Sequence, residues 1–177
     1  MYFSGRDHCF RPVLVIDVSK FDLNNPDTQK VDFLSRVLGI IFEFMIDNLF
    51  VEGQVENYVM VVNLNQLGVW SVGSVTYQPM QLIKNIMSFT TNTYRSRLFA
   101  AYIVNSPGMI TMFWNGIKGM LSENTVKKIN FHGKAVPTPL FNHCGRDVIE
   151  EKFGGSRKDM TTGFWPPTEM NKRLFRL

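Results

Sequence analysis

A chain of 177 residues that is 45% hydrophobic, 19% charged and rich in phenylalanine can bury one substantial core, is short for two, and is too apolar to be a disordered segment. The net charge of +4 comes from scattered basic residues, clustered only at 127–128, 157–158 and 172–176, so a nucleic-acid-binding arm is excluded and an anionic membrane surface is the better partner. Two cysteines, Cys9 and Cys144, are too few for a disulfide framework and fit a reducing, cytoplasmic setting. The opening residues lack a signal-peptide pattern, and the longest apolar stretch, 37–51, is interrupted by Glu43 and Asp47. It falls short of the roughly 20 residues a bilayer span requires, so any membrane contact is expected to be peripheral and transient.

In chain order, Pro12 opens a short aliphatic run, Val13 to Asp17, that predicts a strand. Asn24-Asn25-Pro26-Asp27 marks a turn, and from 28 to 49 Val31, Leu34, Leu38, Ile41, Phe42, Met45 and Leu49 keep one face of an amphipathic helix apolar. A continuous apolar run at 58–64 predicts a strand covered on both faces. A second helix over about 75–92, a strand at 99–105, a third helix over 108–121, a short helix at 122–127 and a strand at 128–132 complete the alternation. The order implies β-α-β crossovers and an α/β layered domain.

The helix over 108–121 is apolar almost all round. Met109, Phe113, Ile117 and Met120 share a face, yet Ile110, Met112, Trp114 and Leu121 carry the apolar surface well beyond it. Either two protein layers enclose this helix, or a lipid or membrane covers its second face. Gly116 and Gly119 suggest a bend or a moving element, with close packing as the alternative, and the methionines supply adaptable apolar surface.

Tyr102-Ile103-Val104-Asn105-Ser106-Pro107, a spacer ending in Trp114 and Lys118, Thr125-Val126-Lys127-Lys128-Ile129, Gly133 and Phe153-Gly154-Gly155 together resemble the CRAL-TRIO family. Arg11-Pro12-Val13 and Val62-Asn63-Leu64 fall where that family has two of its strands, so the resemblance runs from 5 to 155, and the boundaries expected are a domain at 1–155 and a tail at 156–177. It implies a three-layer α/β domain with a mostly parallel sheet as pocket floor and a mobile helical lid at 109–121. A non-enzymatic lipid carrier is expected, with a phosphoinositide as the first-choice ligand among phospholipids and other hydrophobic small molecules, no other cofactor, no metal and no nucleic-acid partner, and a monomeric state.

In the phosphatidylinositol-transfer members, residues matching Thr125 and Lys128 hold the inositol phosphate; a hydroxyl and an ammonium both donate to phosphate oxygens, and the short helix opening at Ser122 offers further amides. A glutamate that joins that head-group site corresponds to Ser96 here. An arginine would come from an N-terminal helical region without counterpart in this sequence, so a fragment or minimal variant is expected. The Ser and Thr used for choline lipids correspond to Tyr58 and Met60, which disfavours phosphatidylcholine exchange. Tyr58, Met60 and Tyr102 join Met109, Met112, Phe113, Ile117 and Met120 as expected pocket and lid residues. The alternative function is a regulatory module of a larger signalling protein that docks a membrane or partner.

Three other features invite misreading. Cys144 and Arg146 are one residue apart, too close for the phosphate loop of a thiol phosphatase, and this stretch reads as a turn ahead of a last helix. His8-Cys9 and His143-Cys144 hold zinc-type ligands without zinc-type spacing, and His132 reads as a strand-end histidine. The tail, with Phe164-Trp165-Pro166-Pro167, reads as surface chain, with a docking segment or membrane anchor as the alternatives.

Overall fold

The apolar runs at 12–17 and 58–63 become strands buried at all six of their positions, which only a sheet covered on both faces permits. The computed structural model describes residues 1–20, 31–65, 77–106, 114–116, 118–133, 138–165 and 167. Among these, strands β1 (Tyr2–Arg6), β2 (Pro12–Asp17), β3 (Tyr58–Asn63), β4 (Leu98–Val104) and β5 (Ile129–Phe131) form one sheet in the order of the chain. β2 to β5 run parallel, and β1 is antiparallel to β2. The helices are α1 (Val31–Phe44), α2 (Tyr77–Thr93), α3 (Glu123–Val126) and α4 (Thr138–Cys144).

Because side chains alternate along a strand, each strand serves two layers. Leu14, Ile16, Met60, Val62, Ala101 and Ile103 pack with Leu38 and Phe42 of α1 and Ile86 and Met87 of α2. Val13, Val15, Val59, Val61, Tyr102 and Val104 face the other way, onto Leu140 and Cys144 of α4 and then Ile149 and Phe153. The expected α/β architecture with a mostly parallel sheet between two layers is the one observed.

The first helix follows its predicted stripe, with Leu38, Ile41, Phe42, Met45 and Leu49 all buried. Its last turn, Met45–Leu49, widens to a π turn closed by the Phe50 amide on the Met45 carbonyl at 2.8 Å. The Phe42 ring stacks on Tyr94 at 4.4 Å and meets Tyr58 edge-on at 5.2 Å, which ties α1 to β3 and to the end of α2. Residues 21–30 and 66–76, where the starts of both predicted helices fall, lie outside the described residues.

Two expectations need correction. The opening residues form β1, an edge strand not anticipated, because its glycine and a bulge between Phe3 and Gly5 hide the alternation that marks a strand. No last helix follows residues 143–147 among the described residues: His143 and Cys144 instead end α4, and beyond them comes only a 3-10 turn at Glu151–Phe153.

That final stretch is fastened to β1 by polar contacts. The fully buried Glu150 carboxylate accepts from the Tyr2 hydroxyl, from the Met160 amide at 2.8 Å, and pairs with Lys152 at 3.2 Å. Ser4 donates to the Val148 carbonyl at 2.6 Å, and Arg157 donates to the Ser4 carbonyl. A buried carboxylate persists only when so partnered. Farther on, Phe164 meets the Tyr2 ring at 5.3 Å and Trp165 the Phe44 ring at 4.7 Å, although Trp165 stays 45% exposed.

The turn that returns the chain at 154–155 has no room for a side chain at its second glycine. A Cβ on Gly155 would overlap the Ile149 carbonyl and stand 2.8 Å from the Arg146 oxygen. Gly155→Ala should therefore lower the unfolding free energy by roughly 3 kcal/mol, read by urea denaturation. Gly39, inside α1 with open space around it, is the control: Gly39→Ala should gain about 0.5–1 kcal/mol.

The two thiols differ as sharply. Cys9 is exposed, whereas burial, aided by nearby Asp7, pushes the Cys144 thiol up to about 12. At pH 8 only about one Cys144 in ten thousand would be ionised. A chromogenic disulfide reagent should titrate one thiol in the native protein and the second only on unfolding; rapid reaction of both would contradict this packing.

Candidate functional site

The turn between α2 and β4 is the first component. Tyr94 is held by its stack on Phe42 and by its hydroxyl, which donates to Glu43 at 2.8 Å. Ser96 adopts a left-handed backbone with φ +63°, a conformation that costs a non-glycine residue about 1 kcal/mol. Neighbouring bonds stabilise it: Asn57 donates to the Ser96 carbonyl at 3.0 Å, and Arg97 pairs with Glu56 at 2.7 Å.

The second component is the turn into β5. Ser122 caps α3, its Oγ accepting from the Thr125 amide at 3.2 Å and lying 2.9 Å from the Thr125 hydroxyl oxygen. The Thr125 amide is thus occupied by the cap and is not one of the free amides the sequence suggested for an anion. The Ala101 amide donates to the Lys128 carbonyl at 2.8 Å, and Lys128 Nζ donates to the Leu98 carbonyl at 2.6 Å. One of three ammonium donors is therefore committed, and the group is fixed at the amino end of β4.

Between these turns lies an open cavity of about 440 Å³. Ser96, Thr125 and Lys128, the three residues expected at a head group, all line it. Thr91, Asn92, Arg95, Ser122 and Asn124 complete its polar wall, with Leu121 as the apolar member. A smaller recess of about 50 Å³ shares Thr91, Ser96, Thr125 and Lys128 and adds Thr90, Tyr94 and Leu98. Chemically the wall is a set of hydroxyl, amide and cationic donors without a carboxylate, suited to an anionic, hydroxylated ligand.

The residues expected to form an apolar pocket are placed differently. Tyr58 and Met60 are buried in the layer between the sheet and α1 and α2. Tyr102 lies on the opposite face, its hydroxyl bonded to His143 Nδ1 and 3.4 Å from the Pro139 carbonyl. Met109, Met112, Phe113 and Ile117 fall outside the described residues, as does the Met120 side chain, although the Met120 backbone belongs to a 3-10 turn at Lys118–Met120. Of the same segment, Trp114 packs on Phe131 at 5.0 Å, and both Trp114 and Leu121 rest on the core layer of Tyr58 and Met60.

The fold brings the two His-Cys pairs together, since the His8 amide donates to the His143 carbonyl at 3.2 Å. Even so, no three His, Cys, Asp or Glu side chains converge on a metal position among the described residues. His132 stacks on Tyr102 at 6.1 Å, and burial lowers its pKa. No helix among the described residues is long and apolar enough to cross a membrane.

Sequence reasoning overlooked Thr91, Asn92, Arg95 and Asn124, and reached Ser122 only as the opening of the short helix. The available signal for Thr91, Asn92 and Arg95 was the polar run Thr90-Thr91-Asn92-Thr93-Tyr94-Arg95-Ser96-Arg97, with two arginines and no acid, across the end of the second helix.

Comparison with known proteins agrees with this architecture. The crystal structure of Sfh5 superposes with a TM-score of 0.67 at 20% identity, covering 96% of this chain and 57% of that one, a likeness of fold. The Sec14 cytosolic factor of Schizosaccharomyces pombe (strain 972 / ATCC 24843) is 30% identical over 104 residues. That match takes in 59% of this chain, which spans about a third of the relative's length (35%). The CRAL/TRIO domain model matches residues 1–155, seven-eighths of the sequence, and the chain belongs to the CRAL/TRIO domain family.

Proposed function

We propose that this domain is a non-enzymatic lipid carrier that shelters one lipid, a phosphoinositide, and holds its inositol phosphate head group in the cavity at Ser96, Thr125 and Lys128. The observation that carries the reading is that these three residues, from two separate turns, line one cavity walled by donors and lacking carboxylates. Lys128 retains two ammonium donors beyond its bond to Leu98, enough to meet a phosphodiester, and the Thr125 hydroxyl stands beside it. Trp114 and Leu121, from the segment expected to form the lid, adjoin the apolar layer, and Leu121 also lines the cavity. Acyl chains would continue from the polar wall along that side. Activity in the cytoplasm with transient membrane contact belongs to the same reading, supported by the name of the Sec14 cytosolic factor.

Native mass spectrometry of the purified chain, loaded against vesicles containing several phospholipid classes, should detect one bound inositol lipid per chain. A chain that stays empty against the whole panel would overturn the proposal. Lys128→Ala should weaken phosphatidylinositol binding by about tenfold, the worth of one charge-assisted contact, while a neutral diacylglycerol changes little. Equal loss for both lipids would remove the head-group assignment.

A further inference from the structure

One flank of α1 is apolar and turned to solvent. Phe33, Val37, Ile40 and Phe44 recur at spacings of four, three and four, a second stripe beside the buried one of Leu38, Ile41, Phe42 and Met45. Phe33 is 43% exposed and Ile40 61%, while Val37 and Phe44 are partly buried against the core layer. A single exposed apolar residue is ordinary, but a run of them along one flank marks a contact surface.

The chain itself delivers a cover to one end of this stripe. Phe164 meets Tyr2, which belongs to the α4 layer, and the next residue, Trp165, meets Phe44 of α1 on the opposite layer. Residues 164 and 165 thus step across the edge strand β1, and the residues that follow start beside Phe44. Phe33 lies eleven positions back along α1, roughly 17 Å at the helical rise. The twelve residues after Trp165 reach about 18 Å even when helical, and farther when extended.

Charge and pattern agree with that path. α1 and the turn after it expose Asp32, Glu43 and Asp47 against one base, Arg36, a net charge of −2. Residues 168–177, outside the described residues, hold Lys172, Arg173 and Arg176 against Glu169, a net side-chain charge of +2. Met170, Leu174 and Leu177 repeat at the stripe's own spacing of four and three, with Phe175 alongside. Three exposed acids beside the stripe disfavour an anionic membrane surface there. We propose that residues 168–177 are the partner of this stripe: the C-terminal segment straps over α1 of its own chain, apolar side chains on Phe33, Val37 and Ile40 and bases beside the exposed acids. Undocked, it leaves the stripe open to a second copy or a bilayer, so the strap controls what else this face can bind.

The test uses the full chain with a spin label on Asn171→Cys in a Cys9→Ser background, Cys144 being too buried to react. In dilute solution the label should broaden the amide resonances of Phe33, Val37 and Ile40 and spare those of α4, across the sheet. Ile40→Asp, at an exposed position outside the core, and the paired Lys172→Glu and Arg173→Glu should each abolish the broadening. Phe10→Asn, which removes an exposed aromatic from the turn between β1 and β2, should leave it unchanged. Trypsin should cut after Lys172 and Arg173 about tenfold more slowly in the native chain than in the Ile40→Asp variant, since cleavage follows the undocked fraction.

Broadening seen only when a labelled chain is mixed with an isotope-enriched, unlabelled one would make a second copy the occupant and overturn the proposal. No broadening in the free chain, together with vesicle binding that Ile40→Asp abolishes, would assign the stripe to a bilayer and overturn it equally. Equal trypsin rates in the two chains, or broadening that survives Ile40→Asp, would exclude the strap.

Discussion

Strands β2 and β3 have no solvent-facing position, and that single constraint organises the rest of the molecule. A sheet buried on both sides must recruit two covering layers from one chain of modest length. On one side α1 and α2 suffice, because each supplies a helical stripe. Among the described residues the other side has only the seven-residue α4 as a helix, and irregular chain at 145–160 completes the layer there. Irregular chain brings unpaired backbone groups into a buried setting, and these need partners. The Glu150 network with Tyr2, Lys152 and Met160, together with the bonds of Arg157 and Ser4 to backbone carbonyls, answers that need. The edge strand β1 and the last stretch of the domain are therefore mutually dependent, although about 145 residues separate them in the sequence.

The same sheet determines where a polar site can form. Parallel strands align all their amino ends along one edge, and the turns entering β4 and β5 meet there. In open α/β sheets, ligands more commonly bind at the carboxyl ends of the strands. Here that edge carries an internal ladder, with Asn63 donating to Asp17 at 3.1 Å and Asn105 donating to Asn63 at 2.8 Å. The ladder satisfies its own polar groups across three strands. The amino edge is different in kind: its donors at Lys128, Arg95 and Ser96 face a cavity and are only partly used by the protein.

How much of this was legible follows from what each signal encodes. Continuous apolar runs revealed β2, β3 and β4 because burial on both faces leaves no polar interruption. The same continuity concealed which face each side chain joins, so Tyr58, Met60 and Tyr102 read as one pocket although Tyr102 belongs to the opposite layer. In an alternating strand parity would have separated them; in an all-apolar strand parity leaves no trace. β1 was missed because a bulge shifts its register between Phe3 and Gly5. Ser96, Thr125 and Lys128 were reached through their likeness to a family pattern, and Arg95 escaped because nothing local links it to Lys128, 33 positions away. Only the parallel pairing of β4 with β5 makes them neighbours.

Charge shows how the two ends of this molecule came to differ. Four of its acids hold the fold: Asp7 pairs with Arg11 at 3.0 Å, Glu56 with Arg97, Glu150 with Tyr2 and Lys152, and Asp17 accepts from Asn63. Each of these bonds joins a strand end, a turn or the C-terminal stretch to another element. A net charge of +4 spread over 177 residues says little by itself. It acquires meaning because these four carboxylates are taken up as ties while Arg95 and Lys128 line a cavity without any. Attraction for anions at that place is thus the counterpart of stability elsewhere: a carboxylate moved to position 96 would leave every one of those ties intact, yet cancel much of the field in the cavity.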